Sequence, residues 1–131
     1  MGIIYMEMKK TILIIEDDPA QQDIYSISLQ KAGFNTVGRG DALSGLRWLE
    51  QILPDLIVLD VMLPHLSGVE MLHEIRQRPN GASVPIIIAT ASATLTELDV
   101  ATYNVAAFLR KPLLPRQLIA TVEKIFNPEP Q

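Results

Sequence analysis

Along this chain, short apolar runs rich in β-branched residues alternate with segments of helical period, five times over and always strand first. The first run, Thr11 to Ile15, meets three acids; Asp18 can cap a helix that takes Pro19 in its first turn and stops at Gly33. A short strand around Phe34 to Val37 follows, and then Leu43, Leu46, Leu49 and Leu53 recur at helical spacing. The third run, Leu56 to Leu59, ends in Asp60. Beyond it, Ser67 and Glu70 have capping-box spacing, with Leu72 and Ile75 continuing that helix on its inner face. Val84 to Thr90 is the fourth strand. Thr94 with Glu97 repeats the capping-box spacing and predicts a fourth helix near Leu95 to Tyr103. "AAFL" makes a short fifth strand, and Pro115 opens a last helix with Leu118, Val122 and Ile125 on one face.

Continuous apolar runs, rather than alternating ones, belong to strands buried on both faces, and strands joined through helices are parallel. The pattern therefore predicts an α/β fold: a single doubly wound domain with a five-stranded parallel sheet and helices on both faces. Residues 1–10 read as an N-terminal extension, 11–126 as the domain and 127–131 as a tail that "NPEPQ" prevents from continuing the last helix.

Composition narrows the class. The 131 residues are 48% apolar and 20% charged, which fits a globular protein with a sizeable core. No apolar run reaches the roughly eighteen residues of a membrane span. In "MGIIYMEMKK" the lysines follow the apolar part, the reverse of a secretory signal, and Met6 stands where myristoylation needs Ser or Thr. Without cysteine, disulfides, thiolate metal sites and cysteine nucleophiles are excluded; the expected location is the cytoplasm. Eleven basic against fifteen acidic residues leave a net charge of −4 with no basic cluster, so neither nucleic acid nor membrane is an expected direct partner.

Ligands of open parallel sheets bind beyond the carboxyl ends of the strands. There the first strand delivers Glu16, Asp17 and Asp18, the third Asp60, the fourth Thr90, and the fifth leads through Arg110 to Lys111-Pro112. Carboxylates that converge this way repel one another unless a cation intervenes. Mg²⁺ suits them, because it takes one or two carboxylates, keeps waters and accepts phosphate oxygens. Asp60, alone at its strand end, then fits the place of a nucleophile toward phosphorus, with Thr90 and Lys111 meeting the new phosphoryl oxygens.

These segments, "ILIIEDD", "LIVLDVMLPHLSG", "PIIIATAS" and "FLRKP" in that order, resemble the receiver domain of bacterial two-component response regulators over nearly the whole chain. The resemblance implies a stand-alone, CheY-like receiver of flavodoxin-like fold with strand order 2-1-3-4-5. It implies Asp60 as phosphoacceptor, Asp17 as direct Mg²⁺ ligand with Glu16 beside it or acting through water, and the Met62 carbonyl completing the set. Thr90 becomes the switching hydroxyl, Lys111 its ion-pair partner and Phe108 the aromatic switch, with a cis peptide before Pro112. The implied donor is a histidine kinase or histidine phosphotransfer protein. The implied output is a downstream protein target, or a phosphorylation-linked homodimer, through the face of the fourth helix, fifth strand and fifth helix. The last helix runs nearly to the end of the chain, so no effector domain is expected. The chain is then not a turnover enzyme but a phosphoacceptor that catalyses its own phosphorylation. With Met62 and Ser92 beside the water path, neither an acid, a base nor an amide, its self-dephosphorylation is expected to be slow.

Plainer readings stand beside these. Glu16 and Asp17 could be a solvated helix entrance, Thr90 a strand former, Lys111 a surface lysine and Phe108 core packing. Pro64 and Gly68 read as shaping the loop after Asp60, His65 and His73 as surface or rim residues, and Trp48 as helix packing. Asn104-Val105 replaces the family's usual Gly-Ala, and asparagine tolerates the left-handed turn needed there. Three rivals remain. A phosphatase of the haloacid-dehalogenase type wants an acid where Met62 stands. A non-phosphorylated interaction module would not need the acids, Thr90 and Lys111. A flavodoxin-type cofactor binder wants a Ser/Thr/Gly-rich loop where "EDDPAQ" places negative charge.

Overall fold

The computed structural model describes residues 8–60, 62 and 66–128. Pro64 and His65 therefore lie outside the described residues. The strands are β1 (Thr11–Ile15), β2 (Asn35–Arg39), β3 (Leu56–Asp60), β4 (Ile86–Thr90) and β5 (Ala107–Arg110). They form one parallel sheet in the order β2-β1-β3-β4-β5. The helices are α1 (Pro19–Lys31), α2 (Ala42–Leu49), α3 (Gly68–Gln77), α4 (Glu97–Val100) and α5 (Pro115–Phe126), with 3-10 turns at Pro79–Gly81 and Ala101–Tyr103.

Period-two alternation divides the core between the two sheet faces. Leu13, Ile15, Ile57, Leu59, Ile86 and Ile88 meet α2 and α3 on one side. Ile12, Ile14, Leu56, Val58 and Ile87 meet α1 and α5 on the other. Every residue of β3 and β4 is buried, which is why both strands read as unbroken apolar runs.

Helix ends follow local chemistry. The Asp18 carboxylate accepts from the Ala20 N–H at 3.0 Å and Pro19 takes the first position of α1. That helix closes on Gly33, whose φ of 101° lets the Gly33 and Phe34 N–H groups reach Gln30 O and Leu29 O. The Ser67 hydroxyl accepts from the Glu70 N–H at 3.1 Å and starts α3 as expected. In α2 the leucine spacing misleads: Ala42, Gly45, Leu46 and Leu49 are buried, whereas Leu43 is exposed and Leu53 lies beyond the helix end and is also exposed. Trp48 packs, half-buried, on the core.

The fourth helix also departs from expectation. Its cap is Thr96 with Asp99, not Thr94 with Glu97, and it spans four residues before the 3-10 turn. Leu95 O, which a helix begun at Thr94 would use internally, instead accepts from the Arg110 guanidinium. The turn that follows ends on Asn104 in the left-handed region (φ 55°), as asparagine's tolerance predicts.

Candidate functional site

The register of β1 with β3 pairs Ile15 with Leu59, so Glu16 and Asp60 leave the sheet side by side at its carboxyl edge. Both are buried, at 2% and 5% exposure, although each carries a carboxylate. Asp17 is exposed, and one carboxylate oxygen from each of Glu16, Asp17 and Asp60 lies within 4.8 Å of the other two. Lys111 reaches in from the end of β5, placing Nζ 2.5 Å from Glu16 Oε1 and 3.3 Å from Asp60 Oδ2. The Met62 N–H donates to Asp60 Oδ1 at 3.0 Å, which fixes the carboxylate from its other oxygen. The peptide between Lys111 and Pro112 is cis.

Charge does not balance here. Burial, and then the approach of Asp60, push Glu16 from 4.5 up to about 7, although Lys111 and the Asp18 N–H pull it back. For Lys111, burial acts to lower the pKa, but its Glu16 bond and the two carboxylates outweigh that and raise it. Among the described residues three acids face one ammonium, so a further cation is favoured. The donors are all hard oxygens, two buried and one open to solvent, and they do not enclose the position. That set fits Mg²⁺, which needs few protein ligands and retains waters.

The other flank of the edge is arranged differently. Thr90 is fully buried, and its hydroxyl accepts from the Ser92 N–H at 2.9 Å. Phe108, half-buried against the core, carries the Arg110 guanidinium 4.9 Å from its ring centre. Arg110 also donates to Ser92 O and, at 2.5 Å, to Leu95 O. Met62, Ser67, Val69, Ser92, Thr94 and Leu95 line an open cavity of about 460 Å³ beside this loop. The structure thus gathers Glu16, Asp17, Asp60, Lys111 and the Met62 amide into one cluster, while Thr90 and Phe108 stand with the β4–α4 loop.

Three contributors escaped the sequence reading. Gln22 donates to Glu16 O at 3.1 Å and needs Gly38 to do so, since a Cβ there would meet its side chain at 2.2 Å. A glycine inside a strand was the available signal. Tyr25, buried on α1, lies within the field of Lys111, Glu16 and Asp60, and burial pushes its hydroxyl up. Arg110 had no signal beyond its position. His73 is exposed, its ring set edge-on to Tyr103.

A family model described as response regulator receiver domain matches residues 12–123. The chain is 31% identical over 116 residues to the DNA-binding response regulator MtrA of Mycolicibacterium smegmatis, covering 88% of this chain and 50% of that one. It is 33% identical over 118 residues to the DNA-binding dual master transcriptional regulator RpaA of Synechocystis, covering 88% and 48%. The chain thus spans about half the length of the curated relatives it matches. Among solved structures, a CheY-like receiver domain protein from Methanospirillum hungatei superposes with a TM-score of 0.83 at 27% identity, covering 92% of this chain and 95% of that one. The receiver domain of the sensor histidine kinase PA1611 from Pseudomonas aeruginosa, solved with magnesium coordinated in its active-site cleft, gives 0.78 at 29%, covering 89% and 97%. No helix among the described residues is long and apolar enough to cross a membrane.

Proposed function

The chain belongs to the response regulator receiver domain family, and on that premise we propose that Asp60 accepts a phosphoryl group from a histidine kinase or histidine phosphotransfer protein. The observation that carries the reading is the burial of Asp60 beside two further carboxylates, with Lys111 Nζ at 3.3 Å. A carboxylate held this way loses little freedom on attack, so its orientation is prepared before the donor arrives.

Glu16, Asp17, Asp60 and the Met62 carbonyl would hold Mg²⁺. When bound, the ion supplies the positive charge that the cluster and an incoming phosphoryl group both lack. A carboxylate oxygen of Asp60 attacks phosphorus in line, the Asp60 O–P bond forms and the histidine N–P bond breaks. Lys111 neutralises a phosphoryl oxygen. The Thr90 hydroxyl turns toward another and leaves the Ser92 N–H that holds it in this structure. Phe108 repacks in response, and the face of α4, β5 and α5 changes what it presents to a protein partner, a second copy of the chain included. Leu98, 81% exposed on α4, belongs to that face. The relatives named as DNA-binding regulators are about twice the length this chain spans of them. With a net charge of −4 and no basic cluster, this chain supports signalling through protein contacts rather than direct DNA binding.

Acetyl phosphate with Mg²⁺ is expected to add one phosphoryl mass to the wild-type protein and none to Asp60→Asn, read by intact-mass spectrometry. Equal labelling of both proteins removes Asp60 from its role. In the same time course, the label should outlast donor removal by minutes or more, since neither Met62 nor Ser92 is an acid, a base or an amide that would position an attacking water well; loss within seconds contradicts this.

A further inference from the structure

The β4–α4 loop is tied down by one side chain from the neighbouring strand. Thr90 and Arg110 are register partners in the β4–β5 ladder, so their side chains leave the same face of the sheet. Phe108, two residues earlier on β5, shares that face and lies under the guanidinium. The guanidinium fork takes two carbonyls of one loop, Ser92 O and Leu95 O. Within that loop the Ser92 hydroxyl accepts from the Leu95 N–H at 3.2 Å, and the Ser92 N–H donates to the Thr90 hydroxyl at 2.9 Å. A chain of bonds therefore runs from Arg110 through Ser92 to Thr90.

We infer that Arg110 is a positioning residue for phosphoryl transfer: by gripping Ser92 and Leu95 it keeps the Thr90 hydroxyl on the Ser92 amide, and releasing that grip is part of bringing Thr90 to the phosphoryl group. The inference rests on the reading of Asp60 and Thr90 given above. Thr90 can advance by either of two routes. It leaves the Ser92 N–H behind, which strands a donor, or it draws Ser92 along, which pulls Ser92 O from Arg110. The fork opposes the second directly, and by holding Ser92 in place it leaves the first with its stranded donor. Contacts made in only one of two states set the balance between them, so Arg110 weights the unphosphorylated arrangement. Its stacking on Phe108 extends that weighting to the aromatic ring, because the guanidinium cannot leave the loop carbonyls without leaving or carrying the ring contact. A planar fork suits the task, since one lysine ammonium cannot span two carbonyls in fixed geometry.

The test uses the full chain with Arg110→Ala and Arg110→Lys, each checked for an unchanged far-ultraviolet spectrum. Arg110 is exposed at a strand end, so both are expected to fold. Two readouts are taken: hydrogen exchange at the Ser92 and Leu95 amides, and the rate of labelling by acetyl phosphate with Mg²⁺. Both variants should exchange faster at those amides. They should also label faster than wild type, Arg110→Ala by about threefold to tenfold and Arg110→Lys by less. A role through charge alone gives the opposite sign, because losing a cation slows capture of an anionic donor. Slower labelling of Arg110→Ala with a wild-type rate for Arg110→Lys thus overturns the inference. So does unchanged amide exchange. Wild-type protein that takes no label overturns the phosphoacceptor reading and this inference together, whereas labelled wild type with indifferent variants removes Arg110 alone.

Discussion

On the flank formed by β1 and β3, Glu16 and Asp60 emerge from strands buried on both faces, and Lys111, the Met62 amide and the Asp18 amide bind them at 2.5–3.3 Å. On the flank formed by β4 and β5, the first loop residues are exposed or half-buried, α4 is four residues long, and Arg110 supplies the long-range bonds. Backbone anchored in a packed core opens only with much of the domain, whereas exposed loops open locally at small cost. The first flank is therefore suited to holding reacting atoms still, and the second to changing place in response. On that division, substitutions on the first flank should alter chemistry without loosening the loop, and substitutions on the second should loosen the loop and alter the labelling rate only through it.

The strongest test of the division is Lys111→Ala. Among the described residues Lys111 is the one cation that faces both Glu16 and Asp60, and removing its ammonium takes away the charge that meets the phosphoryl oxygens. Labelling by acetyl phosphate should fall roughly a hundredfold, as for loss of a single charge-stabilising donor. Exchange at the Ser92 and Leu95 amides should stay at the wild-type rate. Faster exchange there would mean that the flanks are coupled even without phosphate. The pair Lys111→Ala and Arg110→Ala thus forms a crossed comparison, one slowing chemistry on a quiet loop and the other speeding chemistry on a loosened one.

Arg76 sharpens the picture from the far end of α4. Its guanidinium donates to Gly81 O and Val84 O at 3.0 and 2.7 Å, and to Tyr103 O and Asn104 O at 2.9 and 3.1 Å. Two arginines thus hold the segment between β4 and β5, one at each end, but Arg76 also ties it to the loop after α3. Arg76→Ala leaves four carbonyls without these donors and should cost roughly 2–3 kcal/mol in urea unfolding. The labelling rate should remain within about twofold of wild type, because nothing on the path from Ser92 to Thr90 is touched. Acceleration like that expected for Arg110→Ala would show the whole segment moving as one piece, not pivoting on a pinned end.

How much of this could be read in the letters depends on which forces set each feature. The buried strands were legible because continuous burial leaves a continuous apolar run. The cluster was legible because acids at strand ends are conspicuous against such runs. The fourth helix was misplaced because Thr94-Glu97 and Thr96-Asp99 both offer cap spacing, and the choice falls to Arg110, fifteen residues from Leu95. The leucine row of α2 misled because Leu43 falls on the solvent side and Leu53 past the helix end, while Ala42 and Gly45 face the core. Gln22 and Gly38 went unseen for a similar reason: a vacancy on one strand has meaning only once the helix that fills it is in place.

The smallest effect expected comes from the rigid flank and reads its charge directly. In the metal-free protein Glu16 is raised from 4.5 to about 7. Between those values the folded chain holds a proton on Glu16 that the unfolded chain has released. Folding therefore takes up a proton, and the associated stability is fully present below 4.5 and lost as pH rises through about 7. With a chelator present, the urea midpoint should decline from about pH 5 to about pH 7.5 by an amount worth about 1–3 kcal/mol. The comparison is made against Glu16→Gln, so that contributions common to both proteins cancel and only the Glu16 slope remains. Adding Mg²⁺ at the upper pH should restore stability to the wild-type protein, because an ion that binds only the folded state favours it by mass action. A wild-type profile that rises across this window relative to Glu16→Gln would mean that Lys111 already balances the cluster, and that the carboxylates need no further cation to coexist.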